Sequence, residues 1–149
     1  MGKAAVSSRL LLLDNSAWMR IIGPSIPKER ANEIAQEFGE ERFVACLPFF
    51  LEAGYSARSA DGHDDLFGEL ESLDFLPVSL EVERRALDAQ AQLARVGRHR
   101  LAPVDLMIAA LAHCHEVGVL HYDSDYDVIL EKTDLDFDSQ WLMPPGSLN

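Results

Sequence analysis

Short apolar runs alternate with amphipathic stretches along this chain of 149 residues. Residues 9–13 and 43–46 are almost entirely apolar, which is typical of strands buried on both faces of a parallel sheet. Residues 75–78 and 119–122 predict two more strands, and the proline in the first of them favours an edge position or a strand end. A small last strand is expected over residues 135–137.

Apolar residues recur at helical spacing in the stretches between these runs. They predict helices over residues 16–22, 27–39, 48–59, 61–73, 82–96, 103–116 and 126–130. Strands that alternate with helices predict an α/β fold of three layers, in which helices flank a mainly parallel central sheet. In such folds ligands bind beyond the carboxyl ends of the strands.

The length predicts a single domain over residues 1–149, with a folded core at 8–138 and a C-terminal tail at 139–149. No membrane-spanning helix is expected, because the longest apolar run covers only residues 43–51 and contains a proline, whereas about 18 residues are needed. Cys46 and Cys114 make neither a disulfide framework nor a close metal pair, which favours the reducing cytoplasm.

The charge of the chain is strongly unbalanced. Its 25 acidic and 13 basic side chains give a formal net charge of -12. This charge argues against a broad electrostatic grip on nucleic acid and favours a basic partner or bound cations. The densest basic stretch, residues 95–100, is either a local RNA contact or a solvated turn.

Several acids lie just after the predicted strands or in the first turns of helices: Asp14, Glu52, Asp105, Asp123 and Asp125. Each one alone is explained as a helix cap or a partner of the helix dipole. Two of the acids fit that explanation less well. Asp105 shares a helix face with the apolar residues at 108, 109 and 112, and Glu52 lies on a helix with almost no polar face. A buried carboxylate is costly unless it is paired or coordinated.

Convergence of these acids at one edge of the sheet would account for all of them. Their mutual repulsion would raise their pKa values unless a divalent cation neutralised it. A site made only of oxygen ligands suits Mg²⁺ or Mn²⁺ better than zinc. Such ions can activate water and stabilise the leaving oxygen in phosphodiester cleavage.

Four segments carry a resemblance to a known family. They are residues 12–17 (LLDNSA), 51–53 (LEA) with 56–59 (SARS), 103–110 (PVDLMIAA) and 120–126 (LHYDSDY). In this order they resemble the four motifs of the PIN-domain ribonucleases, and more narrowly those of the VapC toxins of bacterial toxin–antitoxin pairs. The resemblance covers nearly the whole chain, and the last two motifs are the most specific.

This resemblance implies a PIN-like fold and an endoribonuclease that depends on Mg²⁺ or Mn²⁺. By motif position, Asp14, Glu52, Asp105 and Asp123 would be the catalytic, metal-binding acids, and Asp125 an additional metal ligand. The implied partners are an RNA substrate, a second copy of the chain in a homodimer, and a cognate VapB-type antitoxin.

Two further residues are expected to support this site. Ser16 matches the small hydroxyl residue that follows the first acid in the family, and it would orient that carboxylate. Arg58 is a candidate contact for RNA or antitoxin, although a solvated arginine at a helix end is the slightly favoured explanation. For Trp18, Tyr122 and Tyr126, core packing is favoured over stacking on RNA bases.

Each alternative class of protein predicts a different set of residues in the sequence. A HAD-like phosphatase would have a second aspartate where Ser16 lies, and a receiver domain would have paired acids after the first strand. A PIN-like module that binds RNA or protein without cutting would be expected to lack one of the four acids. All four are present, so catalysis is the favoured hypothesis and the non-catalytic module is the alternative.

Overall fold

The computed structural model describes residues 10–148. The predicted start of the folded core at residue 8, the predicted start of the first strand at residue 9 and the predicted end of the tail at residue 149 lie outside the described residues. Strands and helices alternate along the chain as the pattern predicts. In chain order they are β1 (Leu11–Leu13), α1 (Asn15–Ile21), α2 (Lys28–Gly39), β2 (Phe43–Cys46), α3 (Leu47–Tyr55), α4 (Ala60–Leu70), β3 (Asp74–Leu76), α5 (Leu80–Arg95), α6 (Pro103–His115), β4 (Gly118–His121), α7 (Asp125–Lys132) and β5 (Ser139–Trp141).

The five strands form one parallel sheet in the order β3-β2-β1-β4-β5. The most apolar strands, β1, β2 and β4, occupy its centre and are buried along their whole length. β3 lies at one edge and Pro77 directly follows its last residue, in agreement with the predicted edge position or strand end. The structure therefore confirms the predicted α/β fold with a central parallel sheet flanked by helices.

The last strand lies elsewhere than predicted. Leu135 and Phe137 are buried, but the paired strand is β5, whose residues align with 119–121 of β4. The alternating apolar residues at 135–137 bury their side chains in the connection between α7 and β5 and do not form a paired strand. The segment 139–149, expected to be a tail, thus begins with a strand of the sheet, and its Leu148 is buried as well.

The helix predicted over residues 48–59 ends earlier, at Tyr55. A separate helix, α4, begins at Ala60, because the Ser59 hydroxyl accepts a hydrogen bond from the Gly62 backbone N–H at 3.0 Å and caps it. Within residues 10–148, none of the helices has the length and apolar character required to cross a bilayer.

Gly118, the first residue of β4, lies close to Leu11 of β1 and to Asp138, the residue before β5. A methyl group on it would come within 2.7 Å of Leu11 Cδ2 and 2.9 Å of the Asp138 carbonyl oxygen. We expect Gly118→Ala to lower the free energy of unfolding by about 1–3 kcal/mol, as overpacking of a core does.

Urea unfolding measures this effect, and Gly68→Ala is the matched control. Nothing lies within 4 Å of a methyl group at Gly68 in α4, so this change should stabilise the helix by up to about 1 kcal/mol. Equal unfolding midpoints for Gly118→Ala and wild type would contradict the close approach of the strands.

Candidate metal centre

The predicted acids come from five elements that meet near the carboxyl ends of β1 and β4. These strands pair in parallel, with Leu13 beside Leu120, so Asp14 and Asp123 follow neighbouring strand ends. Asp105 lies in the first turn of α6, and Asp125 opens α7. Glu52 lies in α3, the helix that directly follows β2.

Three of these acids are close enough to share one cation. Asp105, Asp123 and Asp125 each offer a carboxylate oxygen, and the three oxygens lie within 4.8 Å of one another. Asp105 is buried, whereas the other two are half-buried. The turn between Asp123 and Asp125 is fixed by a hydrogen bond of 2.9 Å from the Asp125 backbone N–H to Asp123 Oδ1.

Asp14 lies deeper and is held by hydrogen bonds on both carboxylate oxygens. Its Oδ2 accepts from the backbone N–H of Ser16 at 2.9 Å and from the Ser16 hydroxyl. The same hydroxyl oxygen accepts the Tyr122 backbone N–H at 2.8 Å, which ties α1 to the end of β4. Ser16 therefore orients the Asp14 side chain in this structure. Asp14 is also the N-cap of α1, so the structural explanation of this acid holds as well.

Tyr126 is a site residue whose role sequence reasoning missed. Its side chain is fully buried, in agreement with the predicted core position. Its hydroxyl, however, donates to Asp14 Oδ1 at 2.7 Å and lies 3.4 Å from Asp105 Oδ1. The available signal was a tyrosine at a core position of α7, since a buried phenol needs a hydrogen-bond partner.

Burial and mutual repulsion raise the pKa values of three of the acids, Asp105, Glu52 and Asp125. The pKa of Asp105 rises to about 8, first because the group is buried and then because Asp14, Asp123, Asp125 and Glu52 are close by. Burial is also the main reason that the pKa of Glu52 is raised, followed by the charges of Asp14 and Asp123. Glu52 thus lies within electrostatic reach of the cluster without belonging to the group of three.

A basic side chain also acts on the cluster. The pKa of Asp125 is raised by burial and by Asp123, while Arg98 lowers it. Arg98 is exposed in the connection between α5 and α6, within the basic stretch 95–100. The predicted RNA or antitoxin contact Arg58 is exposed in the connection between α3 and α4.

A chain of hydrogen bonds links β5 to the loop that carries Asp123. The buried His121 ring accepts the Asp123 backbone N–H on Nδ1 at 3.1 Å, so its Nε2 carries the proton and donates to Ser139 Oγ at 2.7 Å. Asp127 then accepts from Ser139 Oγ at 2.7 Å and from Trp141 Nε1 at 2.9 Å. Burial lowers the pKa of His121, which favours this neutral ring. Sequence reasoning missed this link because it placed the last strand at 135–137.

The remaining aromatic residues take up structural positions. Trp18 is buried with its ring 6.4 Å from that of Phe38. The Tyr122 hydroxyl donates to the Leu148 carbonyl oxygen at 3.1 Å and accepts the Leu148 backbone N–H at 2.7 Å. Core packing, the favoured explanation, is confirmed for Trp18, and Tyr122 anchors the C-terminal segment.

The donor set fits a hard divalent cation. The three clustered ligand atoms are carboxylate oxygens, the type that Mg²⁺ and Mn²⁺ prefer. A cation would relieve the repulsion that, after burial, raises the pKa of Asp105. Among residues 10–148, none of the ion pairs involves these five acids. The arrangement can therefore hold a divalent cation at the carboxyl ends of β1 and β4.

Comparison with known proteins gives consistent matches. The PIN-domain family model matches residues 11–132, a range that contains all five acids, Ser16 and Tyr126 but not β5. Ribonuclease VapC18 of Mycobacterium tuberculosis is 34% identical over 139 residues, covering 91% of this chain and 97% of its own length. Ribonuclease VapC51 of the same organism is 37% identical over 139 residues, with 93% and 96% covered.

Solved structures show the same fold. The DNA-bound VapBC of Salmonella typhimurium matches with a TM-score of 0.71 at 19% identity, covering 91% of this chain and 100% of that one. VapBC-5 of Mycobacterium tuberculosis matches with a TM-score of 0.58 at 22% identity, covering 90% and 98%. At these identities the structural likeness concerns the fold.

The raised pKa of Asp105 predicts a pH-dependent effect of Asp105→Asn in protein freed of divalent cations. The folded chain binds the Asp105 proton more tightly than the unfolded chain, so this group lowers the free energy of unfolding as the pH rises from about 4 to about 8. Asparagine lacks this titration. We expect the variant to gain stability over wild type between pH 5 and pH 8.5 by at least about 1.4 kcal/mol, the value of one pKa unit.

Urea unfolding at several pH values tests this expectation, with Asp88→Asn on the exposed face of α5 as the control. A stability difference between Asp105→Asn and wild type that stays constant from pH 5 to pH 8.5 would contradict the repulsion among the acids.

Proposed function

The chain belongs to the PIN-domain family, and from that premise we propose that it is a divalent-metal-dependent endoribonuclease, a VapC-type toxin restrained by a cognate VapB-type antitoxin. The observation that carries the proposal is the cluster of Asp105, Asp123 and Asp125 beside Asp14 and Glu52. The similar curated proteins are named ribonucleases, and the similar solved structures include VapBC complexes. Both support the assignment.

Asp14, Glu52, Asp105, Asp123 and Asp125 would hold Mg²⁺ or Mn²⁺. The three clustered acids, Asp105, Asp123 and Asp125, would form the centre of the site. When bound, a divalent cation supplies Lewis acidity for hydrolysis and neutralises charge on the phosphodiester. Ser16 keeps the Asp14 carboxylate in one orientation, and the link from β5 through His121 keeps the Asp123 backbone in place. This preorganisation means that the acids need no rearrangement when substrate arrives.

RNA contacts would be local. The net charge of -12 disfavours a wide phosphate-binding surface, whereas the exposed Arg98 lies within electrostatic reach of Asp125. We assign the stretch 95–100 to phosphate contacts beside the cleavage site. Arg58, exposed after α3, is a second candidate for contact with RNA or antitoxin.

Two surfaces suit protein partners. Asp61, Asp64, Asp65 and Glu69 are exposed on α4, where a basic antitoxin segment would find complementary charge. A shallow, mainly apolar groove lies between α3 and α6, with Leu51 63% and Tyr55 91% exposed. It is lined by Leu47, Pro48, Leu51, Glu52, Tyr55, Val104 and Met107. Exposed apolar patches of this kind mark protein interfaces, and we assign this one to the homodimer. Because the proposed substrate is RNA, we also propose that the protein acts in the cytoplasm.

Purified chain freed of antitoxin should cleave cellular RNA when Mg²⁺ or Mn²⁺ is added and stop when the metal is chelated. Asp14→Asn and Asp105→Asn should lower cleavage by at least about 100-fold, because each removes negative charge from the cation site. Asp65→Asn on the exposed face of α4 is the matched control and should cut like wild type. Sequencing of RNA 5′ ends measures the cuts and locates them.

Wild-type chain that leaves all cellular RNA intact with either metal would refute the nuclease and favour a non-catalytic PIN-like binding module. Equal cleavage by wild type and Asp105→Asn would refute the assigned site.

Expression of the chain in a bacterial host should arrest growth, and co-expression of the small gene adjacent to its own should relieve the arrest. Asp14→Asn should be harmless while it still binds the antitoxin, because its surface is unchanged. Growth curves and co-purification measure the two properties. Unrestricted growth with wild-type chain at a verified expression level would contradict the toxin assignment.

A further inference from the structure

The Tyr126 ring is fixed in the core beside the acids. It is fully buried on α7, and its ring centroid lies 4.7 Å from that of His121. Phe137 meets it edge-on at 6.3 Å. Because these neighbours hold the ring in place, its hydroxyl lies between the carboxylates of Asp14 and Asp105.

The hydroxyl lies between two acids that come from different elements. It donates its single proton to Asp14 Oδ1 at 2.7 Å, and Asp105 Oδ1 lies 3.4 Å away. Asp14 follows β1, whereas Asp105 is in α6. The phenol oxygen therefore sets the distance between these two carboxylates as well as the rotation of Asp14.

The hydrogen bonds on Asp14 occupy most of the lone pairs that its carboxylate could offer to a cation. A carboxylate oxygen has two lone pairs. Oδ2 accepts two hydrogen bonds from Ser16, one from the backbone N–H and one from the hydroxyl. Oδ1 accepts one from Tyr126, so a single lone pair of Asp14 remains, and it is on the oxygen that Tyr126 touches.

We propose that Tyr126 is a positioning residue of the metal site, which fixes Asp14 as a one-oxygen ligand and sets its separation from Asp105. This inference rests on the divalent-cation site of the proposed function. Groups that hydrogen-bond to metal ligands orient them, and their loss typically weakens metal binding 10- to 100-fold. A phenylalanine would fill the same space in the core without the hydroxyl, so the ring of Tyr126 serves the packing and its hydroxyl serves the acids.

The test compares Tyr126→Phe with Tyr122→Phe. Both changes remove one phenolic hydroxyl, but that of Tyr122 bonds to the backbone of Leu148 and not to an acid. Mn²⁺ affinity is measured by titration calorimetry and by electron paramagnetic resonance of free Mn²⁺. We expect about 10- to 100-fold weaker binding for Tyr126→Phe and a change of less than about twofold for Tyr122→Phe.

Thermal unfolding with and without Mn²⁺ separates positioning from packing. A merely structural tyrosine would lower the melting temperature of the metal-free protein and leave the rise on adding Mn²⁺ unchanged. Positioning by Tyr126 predicts a smaller rise at the same Mn²⁺ concentration, and RNA cleavage that recovers when Mn²⁺ is raised.

Equal Mn²⁺ affinity of wild type and a folded Tyr126→Phe variant would overturn the inference and leave the metal site standing. Absence of Mn²⁺ binding by wild type would overturn the metal site itself and this inference with it. The two failures are therefore distinguishable in one set of titrations.

Discussion

Electrostatic repulsion among the acids at the carboxyl ends of β1 and β4 is the constraint on which the site depends. Asp105 is buried beside Asp14, Asp123, Asp125 and Glu52, and its pKa rises to about 8 as a result. Burying like charges together costs free energy that the fold must supply elsewhere. The hydrogen bonds from Ser16 and Tyr126 to Asp14, and from the Asp125 backbone to Asp123, offset part of that cost. A divalent cation would offset the rest.

The architecture explains why the acids cannot avoid one another. β1 and β4 run parallel side by side at the centre of the sheet, so Asp14 and Asp123 follow at the same edge. The residues that hold them come from more distant elements, including β5 through Ser139, Asp127 and His121. Central strands thus bring the charges together, and peripheral elements fix their orientation. The net charge of -12 is also explained in part by this site, because five of the acids belong to the proposed metal site.

The sequence predicted what depends on local pattern. The strand at 43–46 has the predicted bounds, and the bounds of β1, β4 and α6 agree with prediction to within one or two residues. This agreement is close because continuous apolar runs mark the strands and Pro103 marks the start of α6. Asp14, Asp123 and Asp125 were predicted because they follow strands, whereas Asp105 and Glu52 were predicted because they lie in apolar surroundings on helices. β5 was misplaced, since its half-buried residues are polar and their pairing depends on β4. The bridge from Tyr126 to Asp14 spans 112 positions and leaves no local signal except a buried tyrosine.

Proton release on metal binding tests the central claim most directly. If a cation ionises Asp105, titration of the chain with Mn²⁺ at pH 7 should release about one proton per cation, and the release should fall toward zero at pH 9, where the group is already ionised. Calorimetry in buffers of different ionisation enthalpy measures this number. Mn²⁺ binding without proton release at pH 7, or no binding, would contradict a cluster held together by a divalent cation.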